Sequence, residues 1–157
     1  MTPTDITDVI CHHFAGVVPK ASWGENALFY NPGQLLAHGV YFCTLKLHDG
    51  DNDKASELNR AGVFRVALGL TPATYASLFG KKPARPLKGG IVATGHDFTA
   101  MNVLIPHPVY AWMGWAQILS PSRERFDELL PLIGEAHAQA VERFNKKTSV
   151  KPAKGDA

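Results

Sequence analysis

Only two cysteines, Cys11 and Cys43, occur in the 157 residues, too few for the disulfide framework that supports small exported domains. Each lies inside an apolar pattern, which predicts reduced thiols packed in a core and a cytoplasmic setting. Long apolar runs are missing as well: nothing reaches the roughly eighteen residues a membrane span needs. The opening residues, MTPTDITDVICHHF, carry acids where an export leader carries bases, so no leader is expected. There is no phosphate-cradling glycine loop, because Gly89-Gly90 lacks the lysine and serine such a loop requires, and no Gly-x-Ser-x-Gly elbow. These absences set aside nucleotide-dependent and serine-hydrolase chemistry, and no cofactor or metal is predicted.

Charge of one sign is also scarce. The formal net charge is +2, yet Lys146, Lys147, Lys151 and Lys154 stand against Asp156 alone in the last twelve residues, which leaves residues 1–145 at −1. A near-neutral body lacks the concentrated basic face of a double-helix binder. The expected organisation is one domain over 1–145 followed by a basic, disordered tail over 146–157.

The apolar pattern then sets out the elements. Pro3 behind a capping Thr2, with Ile6, Val9, Ile10, His13 and Phe14 on one stripe, predicts a short first helix. Ala27 to Asn31 reads as a strand leading into Asn31-Pro32-Gly33 turn chemistry. In VYFCTLKLH, from Val40 to His48, alternation puts Tyr41, Cys43, Leu45 and Leu47 on one face and Phe42, Thr44, Lys46 and His48 on the other. Val63 to Leu68 is a further strand, with Arg65 facing away from Phe64, Val66 and Leu68. Thr71-Pro72 opens a helix that stops at Gly80.

Residues 91–111 keep neither period and are expected to be irregular, with a short strand. Trp112 to Leu119 reads as a strand that is apolar on both faces except at Gln117. Ser120-Pro121 then starts a long helix with Phe126, Leu129, Leu130, Ile133, Ala136, Ala140, Val141 and Phe144 inside. Pro131 is expected to kink or break it. Helix, strands, helix, strands and long helix without regular alternation predict an α+β fold, a mostly antiparallel sheet with helices packed on one face.

Four groups of residues could carry function. His96-Asp97, with His107 between two prolines, offers imidazoles and a carboxylate on irregular backbone. These suit acid–base or metal-assisted chemistry if they converge; otherwise Asp97 caps the next turn and His107 packs beneath a tryptophan. Asp49, Asp51 and Asp53 place oxygens at alternate positions, but Lys54 replaces the glycine of a calcium loop and Arg60 its glutamate. A weak cation site or a solvated turn remains. Cys11, His12 and His13 diverge around a helix and cannot share one metal. Lys81, Lys82, Arg85 and Lys88, with Phe42, Lys46 and Arg65 of the sheet, could hold a phosphate-bearing ligand or single-stranded nucleic acid.

Trp23-Gly24 before ALFYN, the VYFCTLKL strand, the Thr71-Pro72 helix, Pro106-His107-Pro108, the WMGWAQIL strand and the final SPSRERFDELLPLIGEAHAQAVERF helix together resemble the MmcQ/YjbR-like proteins. These are small bacterial α+β domains with a CyaY-like fold, often described as DNA-binding. DGDNDKAS and GHDFTAMNVLIPHPVYAWMGW are more closely similar to a functionally uncharacterised bacterial family. The iron-binding frataxins share the CyaY name, but their acidic first-helix ridge is reduced here to Asp5 and Asp8.

Three functional readings follow. The first is a domain that binds a small molecule or a protein partner in a cleft lined by Trp23, Tyr30, His96, Asp97, His107 and Trp112. The second is an enzyme using His96, Asp97 and His107. The third is a nucleic-acid binder using Lys81, Lys82, Arg85 and Lys88.

Overall fold

A computed structural model describes the backbone of residues 1–155 and side chains through residue 149. Thr2 opens helix α1 (Pro3–His13) through a capping box: its hydroxyl accepts from the Asp5 N–H, and its own N–H donates to the Asp5 carboxylate. Those reciprocal bonds satisfy two backbone donors that a helix start leaves without partners. Ile6 and Ile10 are fully buried, whereas His13 is exposed and meets the core only edge-on at Phe14.

Strands β1 (Val17–Ser22), β2 (Glu25–Tyr30), β3 (Val40–Lys46), β4 (Arg65–Gly69), β5 (Ile105–Pro106) and β6 (Trp115–Leu119) form one sheet in the order β1-β2-β3-β4-β6-β5. Every adjacent pair is antiparallel. The β1–β2 hairpin turns on Trp23-Gly24, both with positive φ, 50° and 73°. That is the primed geometry whose twist suits paired strands, and it needs a glycine or a tolerated left-handed residue. A tryptophan there is unusual, and β1 is a strand that the sequence pattern did not predict.

The faces of β3 differ from simple alternation. Leu28 pairs with Cys43 but Phe29 pairs with Tyr41, so Phe42 is the extra residue of a β-bulge. Phe42 therefore joins Cys43 and Leu45 in the core and meets His137 of the last helix. Tyr41 crosses to the side of Thr44, where it stacks against Trp115. Expecting Tyr41 beside Cys43, and Phe42 beside Lys46, fails at this one inserted residue.

Helix α2 (Pro72–Phe79) is capped by Thr71 and stops at Gly80, as its sequence predicts. Ser122, rather than Ser120, caps helix α3 (Arg123–Gly155). The α3 residues Phe126, Leu129, Ile133, Ala136, Ala140 and Phe144 pack with Ile6 and Ile10 over Leu28, Cys43, Leu45, Val66, Leu68 and Ile118. α3 continues through Pro131 without a break, and through the segment expected to be a tail. Glu142 pairs with Lys146 one turn on, and the Thr148 hydroxyl donates to the Phe144 carbonyl. Asp156 and Ala157, which close the expected tail, lie outside the described residues. Among the described residues no helix is long and apolar enough to cross a membrane.

The β2–β3 connection is closed by Asn31, which is buried. Its amide donates to the Leu36 carbonyl at 2.8 Å and accepts from the Leu36 N–H at 3.0 Å, imitating a backbone pair. Asn31→Ala leaves both Leu36 groups without partners. It should lower unfolding free energy by about 2 kcal/mol, read as a lower urea midpoint at unchanged m-value.

Candidate functional site

The sheet face turned away from the α1–α3 core carries two unlike zones, and both begin with residues that interrupt apolar strands. On β4 the interruption is Arg65, fully buried, and on β6 it is Gln117, also fully buried. A guanidinium removed from water must be met donor by donor. Asp53, delivered by the loop after β3, takes it fork to fork: Nη1 donates to Oδ2 at 2.5 Å and Nη2 to Oδ1 at 2.9 Å. Nε donates to Gln117 Oε1 at 2.7 Å, and Nη2 also reaches Ser56 Oγ at 3.1 Å. Lys46 Nζ donates to Asp53 Oδ2 at 3.1 Å, and the Gln117 amide donates to the Phe98 carbonyl.

The acidic run 49–53 is thus resolved in a way its spacing did not reveal. Asp53 holds two protein cations instead of a metal, and Asp49 accepts from the Leu58 N–H at 2.8 Å. Among the described residues no group of three or more histidines, cysteines or acids is placed to hold a metal ion. Arg60 ties the same loop to the 95–100 segment by donating to the carbonyls of Glu57, Ser56 and Thr99. Burial alone would raise the Asp53 carboxyl, but the hydrogen bonds and charge of Arg65, supported by Lys46, hold it well below the usual carboxylate range. The proposed sheet surface for nucleic acid is absent, because Lys46 and Arg65 are buried in this network and Phe42 faces α3.

Beside the network lies a cavity of about 300 Å³. Small residues, Ala27 of β2 and Thr44 of β3, form its floor; Trp23, Tyr41, Tyr110 and Trp115 supply walls. Gly69 leaves room for the Trp115 wall: a Cβ there would lie 3.2 Å from the indole, tight enough that the ring would have to shift by a few tenths of an ångström. Tyr41 is tilted 31° against Trp115 at 5.4 Å and stands edge-on to Trp23 at 6.3 Å. Trp23 itself is 81% exposed at the hairpin tip, overhanging the mouth.

His107 forms the polar end of the cavity and is only 1% exposed. The N–H groups of Val109 and Tyr110 donate to Nδ1 at 3.0 and 3.1 Å. Nδ1 is thereby fixed as the acceptor, so Nε2 carries the ring proton. Among the described residues Nε2 makes no hydrogen bond to the protein, and His107 lines the cavity. Burial first, and then the charge of Arg65, push the imidazole well below its ordinary 6.5. The cavity therefore presents a neutral N–H donor.

Of the residues singled out from sequence, Trp23 and His107 meet at this cavity and the others do not. Tyr30 lies across the sheet against His137 and Phe144. Exposed His96 stands near Phe79 and Phe98. Asp97 accepts from the Thr99 N–H and hydroxyl, so it caps a turn. Trp112 lies under the Arg85 guanidinium, 4.7 Å from its ring centre. The convergence of His96, Asp97 and His107 required for an acid–base centre is not present, since each ring or carboxylate has separate surroundings. Lys81, Lys82, Arg85 and Lys88 are exposed on their loop. Tyr41, Thr44, Tyr110 and Trp115 were missed; only the solitary Arg65 and Gln117 hinted that this face was not plain core.

Two outcomes follow from these environments. Asp53→Ala strands Arg65 without its counterion and should cost about 3–5 kcal/mol in chemical denaturation. His107 is held neutral when folded and titrates near 6.5 when unfolded, so its contribution is complete above about pH 6.5 and declines as the pH falls below it. Melting temperature should drop on acidification from about pH 7.5 to 5, and His107→Asn, which keeps an acceptor for the turn, should flatten that slope. Comparison of the chain with curated proteins and with solved structures finds no match to either. One family does match, over residues 1–149, and the chain belongs to it: the family of unknown function DUF6194.

Proposed function

We propose that this domain binds a small, planar, uncharged molecule in the aromatic cavity and holds it by one directed hydrogen bond from His107. The observation that carries this reading is the pairing of aromatic walls with the buried imidazole of His107, fixed in one tautomer by two backbone donors. Ligand sites commonly have this composition, a mainly apolar concavity with a few placed polar atoms. The cavity volume of about 300 Å³ suits a one- or two-ring molecule.

Binding is favoured over catalysis by the state of His107. Its Nδ1 is occupied by two backbone donors and its environment resists protonation, so it serves as a donor and not as a base. The order of helix, antiparallel sheet and long helix suits the MmcQ/YjbR-like, CyaY-like likeness. Two unpaired cysteines suit a cytoplasmic setting.

Quinoline, a neutral two-ring molecule with one acceptor nitrogen, is the test probe, with naphthalene as its counterpart lacking the acceptor. Quinoline should shift the indole N–H signals of Trp23 and Trp115 saturably in an NMR titration. Naphthalene should bind about tenfold more weakly, the worth of one hydrogen bond. Ala27→Leu fills the floor and should abolish binding while leaving the melting temperature within a few degrees. Absence of saturable quinoline binding, or full binding by Ala27→Leu, refutes the proposal.

A further inference from the structure

We infer that the natural ligand is an aromatic anion: its ring occupies the cavity, and a carboxylate- or phosphate-type group at the opposite end rests outside on Lys82 and Arg85. The inference rests on the cavity being a binding site and adds what the ligand must carry beyond its ring.

The interior cannot take the charge. The residues that line it carry no cation, and the cations beneath the neighbouring face, Lys46 and Arg65, are already committed to Asp53. A charged group brought inside would lose its hydration without an unspent counterion. Any anionic part of the ligand has to remain at the rim.

The rim is built for one. Tyr110 lines both the aromatic cavity and a second concavity of about 300 Å³, whose wall includes Asn52, Arg85, Lys88 and Trp112. The two concavities therefore adjoin at Tyr110. Arg85 sits over Trp112 with its guanidinium carbon 4.7 Å from the ring centre, a cation–π contact that favours one position of its charge. Lys82 lies against Gly114, between the cavity residues Met113 and Trp115: its Cδ is 3.9 Å from where a Gly114 Cβ would stand. Arg85 thus borders the concavity that adjoins the cavity at Tyr110, and the Lys82 stem lies beside the residue that joins Met113 to Trp115.

These charges have no internal use. Among the described residues the ion pairs are those of Lys46, Arg65, Arg123, Arg125 and Lys146, and none involves Lys81, Lys82, Arg85 or Lys88. Two charges of the other α3 and sheet elements also face this region. Arg143 acts on the Tyr41 hydroxyl and adds positive potential, while Glu25 acts on it in the opposite sense. Glu25 in turn is offset by Lys46 and Arg65.

Quinoline and quinoline-6-carboxylate, which carries its anion at the end away from the ring nitrogen, are titrated calorimetrically into the full chain. A Lys82→Gln/Arg85→Gln variant retains much of the aliphatic packing of the two stems. The carboxylate should bind wild type about fivefold to tenfold more tightly than quinoline, and the gain should vanish in the variant and at high salt. Quinoline should bind both proteins equally. A Lys82→Glu/Arg85→Glu variant should reverse the preference. Equal affinities on wild type, or a gain that survives the glutamine variant, overturn the anion while leaving the cavity as a site. Failure of quinoline itself to bind removes both readings. Quinoline 6-phosphate distinguishes the anion type, a tighter fit than the carboxylate marking a phosphate ester as the source. Single-stranded oligothymidylate binding that survives Ala27→Leu would assign the cations to a nucleic-acid backbone and overturn the inference.

Discussion

Arg65 lies in the middle of a sheet with no access to water, and the half of the chain outside the helices is arranged to meet it. A carboxylate from one loop, a hydroxyl from the same loop and an amide from the next strand answer four of its five donors. Those partners lie twelve, nine and fifty-two residues away in sequence. The loop from Leu47 to Phe64 therefore cannot wander, because its Asp53 and Ser56 are required beneath it. A buried ion pair of this kind adds less to net stability than its geometry suggests, since desolvation offsets much of the attraction. Its effect is to specify one arrangement of the loops, and the cavity inherits its floor and inner end from that arrangement.

The two zones of this face divide the labour by chemistry. The network pairs the charges it buries, and the neighbouring His107 is kept neutral first by its burial and then by the charge of Arg65. The cavity can then be apolar without being featureless. Its aromatic walls come from a hairpin tip, a bulged strand, a 3₁₀ turn and the start of β6. Rigid elements supply Tyr41 and Trp115, and the hairpin tip supplies exposed Trp23, which is the part of the wall least committed to the core.

How far the sequence could be read divides along the same line. The helices were legible because capping and period are local: Thr2-Pro3, Thr71-Pro72 and the α3 stripe stand where their residues predict. The strands were legible where they alternate, and failed at Phe42, where one inserted residue changes the parity. β1 was hidden behind a tryptophan in a turn position that normally belongs to asparagine or glycine. The site was legible only in fragments. Trp23 and His107 could be named as candidates, but Tyr41, Thr44 and Trp115 are brought beside them by strand pairings between residues distant in sequence, which no local pattern encodes. Asp53 looked like a cation ligand and is one, with the cations supplied by the chain.

The bulge at Phe42 has a further consequence for how length can vary in this family. The ladder closes on both sides of that residue without it, since Cys43 and Tyr41 already face opposite ways, as adjacent residues in a regular strand do. A relative lacking one residue here would keep its tyrosine against the tryptophan of β6 and give up only the ring that touches His137. When such sequences are set side by side, the gap belongs at position 42. Placed at position 41 instead, it would pair a wall tyrosine with the core residue Phe42 and make the cavity look unrelated between members that share it.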